Sequence, residues 1–182
     1  VDMRKRCAHL KAHSPVPEIY TMGHRNPFRI ALDPNGGCLW WGDYGPSAPG
    51  SEERGTEGLD EFNRTCEPGN FGWPYFVGPN QAFRDYDFAT GESGRLFDPE
   101  RPVNDSPHNT GARILPPARP ALIWYPSGPS ERFPELGSGG RGPMGGAVYR
   151  YDSASAGPHA LPLRYDGSFF AMEFMRHWIK EV

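Results

Sequence analysis

The sequence predicts an all-β protein of short strands joined by tight turns, with a β-propeller as the favoured arrangement. Pro and Gly number 21 and 23 in 182 residues, roughly twice ordinary usage, and they interrupt nearly every window long enough for three helical turns. Aromatic residues make up 13% of the chain and cluster beside aliphatic ones, a composition that argues against disorder. The segment Leu39-Trp40-Trp41-Gly42-Asp43 ends a strand on an aromatic pair and enters a loop through Gly-Asp. That pattern favours a propeller blade over a sandwich or barrel. A blade needs roughly 40–45 residues, so the chain holds about three blades once a long loop insertion is set aside. A ring of six needs more polypeptide.

The elements follow in order. Phe28-Arg29-Ile30-Ala31-Leu32 alternates apolar with polar or small residues. Asp33-Pro34-Asn35-Gly36-Gly37 supplies turn chemistry and Cys38 to Gly42 resumes as a strand, which together predict a hairpin. Asn70 to Val77 and Ala121 to Tyr125 are short aromatic-rich runs. Ala147 to Tyr151 and Ser168 to Met172 predict a further strand pair. Residues 79–120 are rich in Asp, Asn, Pro, Gly and Arg. Flanked by aromatic strands, they are expected to form a long loop excursion within one domain of residues 1–182, and such loops on a β scaffold carry function or cap an edge.

Net charge is −3, so there is no electrostatic case for nucleic acid. No apolar run approaches the ~18 residues of a membrane span. Arg4-Lys5-Arg6 is followed by no apolar stretch of the signal-peptide kind, and both ends of the chain look like cuts through a longer polypeptide. Cys7, Cys38 and Cys66 are spaced too widely for a zinc knuckle. One disulfide with an odd thiol, or three buried thiols, both fit. Asn63-Arg64-Thr65 and Asn104-Asp105-Ser106 match the glycosylation sequon.

Three segments carry candidate chemistry. In Gly23-His24-Arg25-Asn26-Pro27-Phe28, Arg offers a planar fork for carboxylate or quinone oxygens and Asn one donor and one acceptor. Pro27 pushes Asn26 towards extended backbone. Loop-knitting by the Arg–Asn pair is the plainer reading of these residues alone. Gly42-Asp43-Tyr44-Gly45-Pro46 leads into an acidic loop running to Asp60-Glu61-Phe62-Asn63. Such a backbone can aim consecutive carbonyls at a hard cation, although a solvated acidic loop is the plainer reading of these residues alone. Gly69-Asn70-Phe71-Gly72-Trp73-Pro74 reads as packing.

The order and distances of these segments resemble the soluble glucose/sorbosone dehydrogenase family, densely from Pro17 to Gly78 and again over 120–127 and 139–182. The resemblance implies a six-bladed propeller, of which this chain is part, and bound pyrroloquinoline quinone (PQQ) with Ca²⁺. Its expected activity is oxidation of an aldose at C1 to the lactone, with hydride passing to the quinone. It implies that Arg25 and Asn26 contact the quinone, with Arg25 as the catalytic group polarising the reacting carbonyl. The main-chain carbonyls of Gly45 and Pro46 are expected to hold the Ca²⁺, with Asp60 close by. Arg176, where the family more often has Lys, and Arg141 are further cofactor-binding candidates; a solvated turn Arg explains Arg141 as readily.

The family's catalytic base is a His from an earlier blade, and none of the six His here corresponds to it. The fragment alone is expected to lack activity. The implied partners are a small sugar and an electron acceptor such as a cytochrome c or a quinone, and the implied location is periplasmic or extracellular. Two rivals share the fold. One is a non-catalytic extracellular binding module, and the other is a Ca²⁺-dependent lactonase with side-chain ligands drawn from residues such as Asp43, Asn63 and Asn70.

Overall fold

A computed structural model describes residues 19–154 and 156–182; Arg4-Lys5-Arg6 and Cys7 lie outside them. The strands are β1 (Thr21–Met22), β2 (Pro27–Leu32), β3 (Leu39–Asp43), β4 (Asp60–Thr65), β5 (Gly69–Asn70), β6 (Phe76–Val77), β7 (Gln81–Ala82), β8 (Arg84–Tyr86), β9 (Ser93–Leu96), β10 (Ile123–Tyr125), β11 (Pro143–Met144), β12 (Phe170–Glu173) and β13 (Trp178–Glu181). Among the described residues the only helical pieces are two short 3₁₀ turns, Pro134–Leu136 and Leu163–Tyr165. The described residues are all-β apart from these turns, as the turn chemistry predicts.

The contacts divide the chain into two compact units. One takes its described residues from Val1–Arg25, Pro46–Gly58 and Glu67–Ala121, the other from Asn26–Gly45, Leu59–Cys66 and Leu122–Val182.

The second unit holds a four-stranded antiparallel sheet in the order β10-β4-β3-β2 and a three-stranded sheet in the order β11-β12-β13. The β2–β3 hairpin forms where the alternating pattern and turn residues place it, with Leu32 opposite Leu39 and Pro27 opposite Asp43. Asp33 organises the turn. Its carbonyl accepts the Gly37 N–H at 2.9 Å, its Oδ1 accepts the Asn35 N–H at 3.0 Å, and Gly37 has φ 62°, a conformation open to Gly at little cost. Arg150 closes on the same carboxylate, Nε to Oδ1 at 2.9 Å and a terminal nitrogen to Oδ2 at 2.5 Å. That hydrogen-bonded pair holds the Asp33 carboxyl down at about 2.

The core of this unit is Cys38, Trp40, Phe62, Tyr125, Leu136, Phe169 and Ala171. Trp40 stacks on Phe169 at 4.9 Å and Phe62 on Tyr125 at 6.2 Å. Each large side chain so buried contributes about 1.5–3 kcal/mol. Cys38 and Cys66 form a disulfide, which resolves the cysteine alternatives for these two residues.

Two expectations are corrected in this unit. Asp60 to Asn63 continue no acidic loop. They lie in β4, with β3 on one side and β10 on the other. Phe62 is its one large apolar residue, so the period-2 signal is nearly silent. The strand is nonetheless buried, with Asp60 and Asn63 at 0% exposure. Burial of Asn63 also removes it as a glycosylation acceptor in the folded protein. Residues 147–151 form no regular strand. They meet the Ser168 region through the Val148↔Phe169 bridge and bonds at Tyr149, while the Arg150 side chain is held by Asp33.

The first unit holds the parallel pair β1–β5 and the hairpins β6–β7 and β8–β9, with Phe71, Phe76, Val77, Ala118 and Ala121 buried. Residues 79–120 belong to it, and within them the β8–β9 hairpin is built largely from polar residues.

Candidate functional site

In the second unit, residues distant in sequence are brought to one end of the β2–β3–β4 ladder, opposite the disulfide. Asn26 immediately precedes β2. Its N–H donates to Asp43 Oδ1 at 2.7 Å, and its carbonyl accepts the Tyr44 N–H at 3.1 Å. Asn26 is exposed, and among the described residues its side-chain amide makes no hydrogen bond, so a donor and an acceptor are both available there.

Gly45 follows β3 by two residues. Its N–H donates to Asp60 Oδ1 at 3.0 Å. A Cβ added at Gly45 would overlap the Leu59 carbonyl, so only glycine permits this close approach of the two chain segments. Asp60 starts β4 with its carboxyl wholly buried. Arg141, itself only 6% exposed in its side chain, places a terminal nitrogen 3.4 Å from Asp60 Oδ1. Asp60 Oδ2 is buried with no hydrogen-bond partner among the described residues. Burial pushes the Asp60 carboxyl up to about 7, against the opposing pull of Arg141 and the Gly45 N–H, with Glu173 adding a smaller upward push.

Thus Asn26, Gly45, Asp60 and Arg141 converge within one unit. The lone buried oxygen on Asp60 is a hard donor of the kind that Ca²⁺ accepts. Among the described residues no group of three or more His, Cys, Asp or Glu is arranged to hold a metal, so a cation here would depend on main-chain oxygens as well as Asp60.

Glu173 and Arg176 brace this site from β12 and the turn after it. Glu173 is buried and accepts the Tyr125 hydroxyl, the Gly142 N–H at 2.9 Å and the Met175 N–H at 2.8 Å. Burial and the Glu173 carboxylate together push the Tyr125 phenol up. Arg176 lies over the Tyr125 ring at 4.6 Å. It donates to the carbonyls of Pro126 at 2.6 Å, Gly137 at 2.8 Å, Gly140 at 3.0 Å and Leu136 at 3.1 Å. Its fork is spent on main chain. The Gly-rich segment that carries Arg141 is held in the same way: Gly142 by Glu173, and Gly145 by a bond from its N–H to the Phe28 carbonyl at 3.1 Å.

In the first unit, two further motifs meet. Gly23 packs on residues 70–72, where an added Cβ would meet the Gly72 and Phe71 nitrogens, and its carbonyl accepts the Trp73 N–H at 3.0 Å. His24 stacks on Phe71 at 5.6 Å and the Arg25 guanidinium lies 5.7 Å from the Trp73 ring centre. Gly-Asn-Phe-Gly-Trp is therefore packing, as expected, and the surface it forms is the one on which Arg25 rests. The Pro46 carbonyl faces Gly58, where a Cβ would overlap it.

The contributions of Leu59, Arg141 and Glu173 to the geometry around Asp60 were the least visible beforehand. The Gly-rich run 139–146 was the one signal for Arg141, and nothing in the local pattern marks Glu173.

Residues 8–87 match the family described as Glucose / Sorbosone dehydrogenase. The chain is also 31% identical over 115 residues to "Quinoprotein glucose dehydrogenase B" of Acinetobacter calcoaceticus. That alignment covers 57% of this chain and 22% of the relative, so the chain spans under a quarter of that protein's length. No solved structure matches.

Proposed function

We propose, from the membership of this partial chain in the glucose/sorbosone dehydrogenase family, that it supplies part of the PQQ and Ca²⁺ site of a sugar dehydrogenase built as a six-bladed β-propeller. The observation that carries the reading is the convergence of Asn26, Gly45 and Asp60 at one end of the β2–β3–β4 ladder, with one Asp60 oxygen buried and unpartnered.

When bound, PQQ would supply a hydride acceptor for the sugar C1 and Ca²⁺ a Lewis acid. The chain's own residues orient and polarise. Arg25 would present N–H donors to the bound quinone, hydrogen bonds that gain strength wherever negative charge develops. Asn26, its main chain pinned by Asp43 and Tyr44, offers its amide to the same group. The carbonyls of Gly45 and Pro46 and the carboxylate of Asp60 are the candidate Ca²⁺ ligands. Arg141 offsets the charge of Asp60, and Arg176 holds the Arg141 loop as a positioning residue. The base that takes the C1 hydroxyl proton is assigned to polypeptide outside this chain, so the chain alone is expected to be inactive. A cytochrome c or a quinone would take up the electrons. A periplasmic or extracellular location is supported by the Cys38–Cys66 disulfide, since such bonds persist in oxidising compartments.

The test is reconstitution of the full-length protein with PQQ and Ca²⁺, followed by dye reduction with a panel of aldoses. Activity that needs both additions, and falls at least ~100-fold in Arg25→Ala, is the expected result. Failure of the full-length protein to bind PQQ would overturn the reading and leave a non-catalytic binding module in its place.

A further inference from the structure

The first unit contains a cavity of about 530 Å³ walled by Trp73, Tyr75, Phe83, Tyr86 and Phe97, with Arg54 and Phe88 at its solvent side. The rings are not packed flat on one another. Phe83 meets Trp73 edge-on at 6.1 Å, Tyr86 meets Phe88 edge-on at 5.2 Å, and Tyr75 meets Phe97 at 4.4 Å with a 51° tilt. Ring faces are thereby left to line space, and Phe88 is 78% exposed.

Three of the polar groups in the wall are already committed. The Thr56 hydroxyl donates to Gln81 Oε1 at 2.6 Å, Ser51 Oγ accepts the Arg54 N–H at 3.0 Å, and Arg84 donates to the Gly94 carbonyl at 3.0 Å. The Arg54 guanidinium is different. It is clamped 4.3 Å from the Tyr86 ring centre and 4.6 Å from that of Phe88, and none of its N–H donors has a hydrogen-bond acceptor among the described residues. Two aromatic rings hold the guanidinium in place and leave its N–H donors for a ligand carboxylate. Arg54 and Arg84 against the single acid Asp85 leave the lining net positive.

We propose that this cavity binds a flat aromatic ring carrying a carboxylate, the ring lying among the aromatic walls and the carboxylate on Arg54. A hydroxyl-rich ligand such as a neutral sugar fits less well, because most of the wall is aromatic ring, and Arg54 is the lining cation whose donors are left for an anionic group. Pro46 also belongs to the wall, but Arg54, Tyr86 and Phe88 have no part in the proposed quinone site.

The probes are 2-naphthoate, neutral 2-naphthalenemethanol and glucose, titrated against the isotope-labelled protein and followed by amide and side-chain NMR shifts. The proposal expects saturable 2-naphthoate binding with Kd of about 1 mM or tighter and shifts concentrated in residues 54–56, 73–75 and 83–97. Arg54→Gln, an exposed position, should weaken 2-naphthoate by ~10-fold or more, leave 2-naphthalenemethanol unchanged, and leave PQQ-dependent dye reduction unchanged. Any one of four results overturns it: no saturation by about 10 mM, equal binding of the acid and the alcohol, glucose as the better ligand at these residues, or strict one-to-one displacement of 2-naphthoate by PQQ. The last would make the cavity the quinone's own seat. Failure of PQQ to bind at all would bear on the proposed function and leave this inference standing.

Discussion

The Cys38–Cys66 disulfide closes a loop of 28 residues in sequence separation and joins the start of β3 to the end of β4. Replacing both cysteines with alanine frees the unfolded chain. On the loop-closure relation, 2.1 plus 1.5R ln 28 is roughly 12 cal/mol/K, or ~3.6 kcal/mol at 25 °C. Cys38 is 4% exposed and belongs to the core, so loss of its sulfur adds to that figure. Urea unfolding followed by the fluorescence of Trp40 and Trp41 should show the midpoint falling by ~1.8 M if m is about 2 kcal/mol/M. Wild-type protein treated with dithiothreitol should approach the variant, since Cys66 is exposed to solvent. The bridge lies beside the Leu39↔Thr65 pair, whereas Asp43 and Glu61 pair at the far end near Gly45 and Asp60. The variant should therefore keep its Ca²⁺ affinity within ~3-fold while folded. Coincident unfolding curves for wild type and variant would refute the reasoning, as would ready alkylation of Cys38 in unreduced native protein.

Gly45→Ala puts a methyl group into the Leu59 carbonyl. It should cost ~1–3 kcal/mol and weaken Ca²⁺ binding in isothermal titration, whereas an alanine at Gly157, where nothing lies within 4 Å, should change neither. Asp33→Asn tests the Arg150 pair. With the folded carboxyl held at about 2 against an ordinary 3.8, the pair contributes stability that is present above pH 3.8 and lost as pH falls through 2. After allowance for the solvent-facing side of Arg150, the variant should be ~1–2 kcal/mol less stable at pH 7. The gap should close between about pH 4 and 2 in denaturant titrations; a gap of constant size would sink the assignment.

The β2–β3 hairpin, the all-β class and the packing role of residues 69–74 were legible in the sequence because they depend on local physics. Alternating side chains, Asp-Pro-Asn-Gly-Gly turn chemistry and ring-flanking glycines act over a few residues. The motifs at 23–28, 42–46 and 60–63 were likewise visible as candidates, and it was the family resemblance, not any local pattern, that implied a shared site. β4 looked like solvated acidic loop, since a strand buried on both sides by its neighbours can carry Asp60, Glu61 and Asn63 wherever tertiary partners receive them. Only the folded chain brings Arg141, 81 residues away, to within 3.4 Å of Asp60, commits Arg176 to main-chain carbonyls, and sets Arg54 between two rings of a cavity. Propensity and periodicity reach only near neighbours along the chain. The energies that fix these contacts come from burying groups far apart in sequence, and no local pattern encodes which distant group will lie alongside.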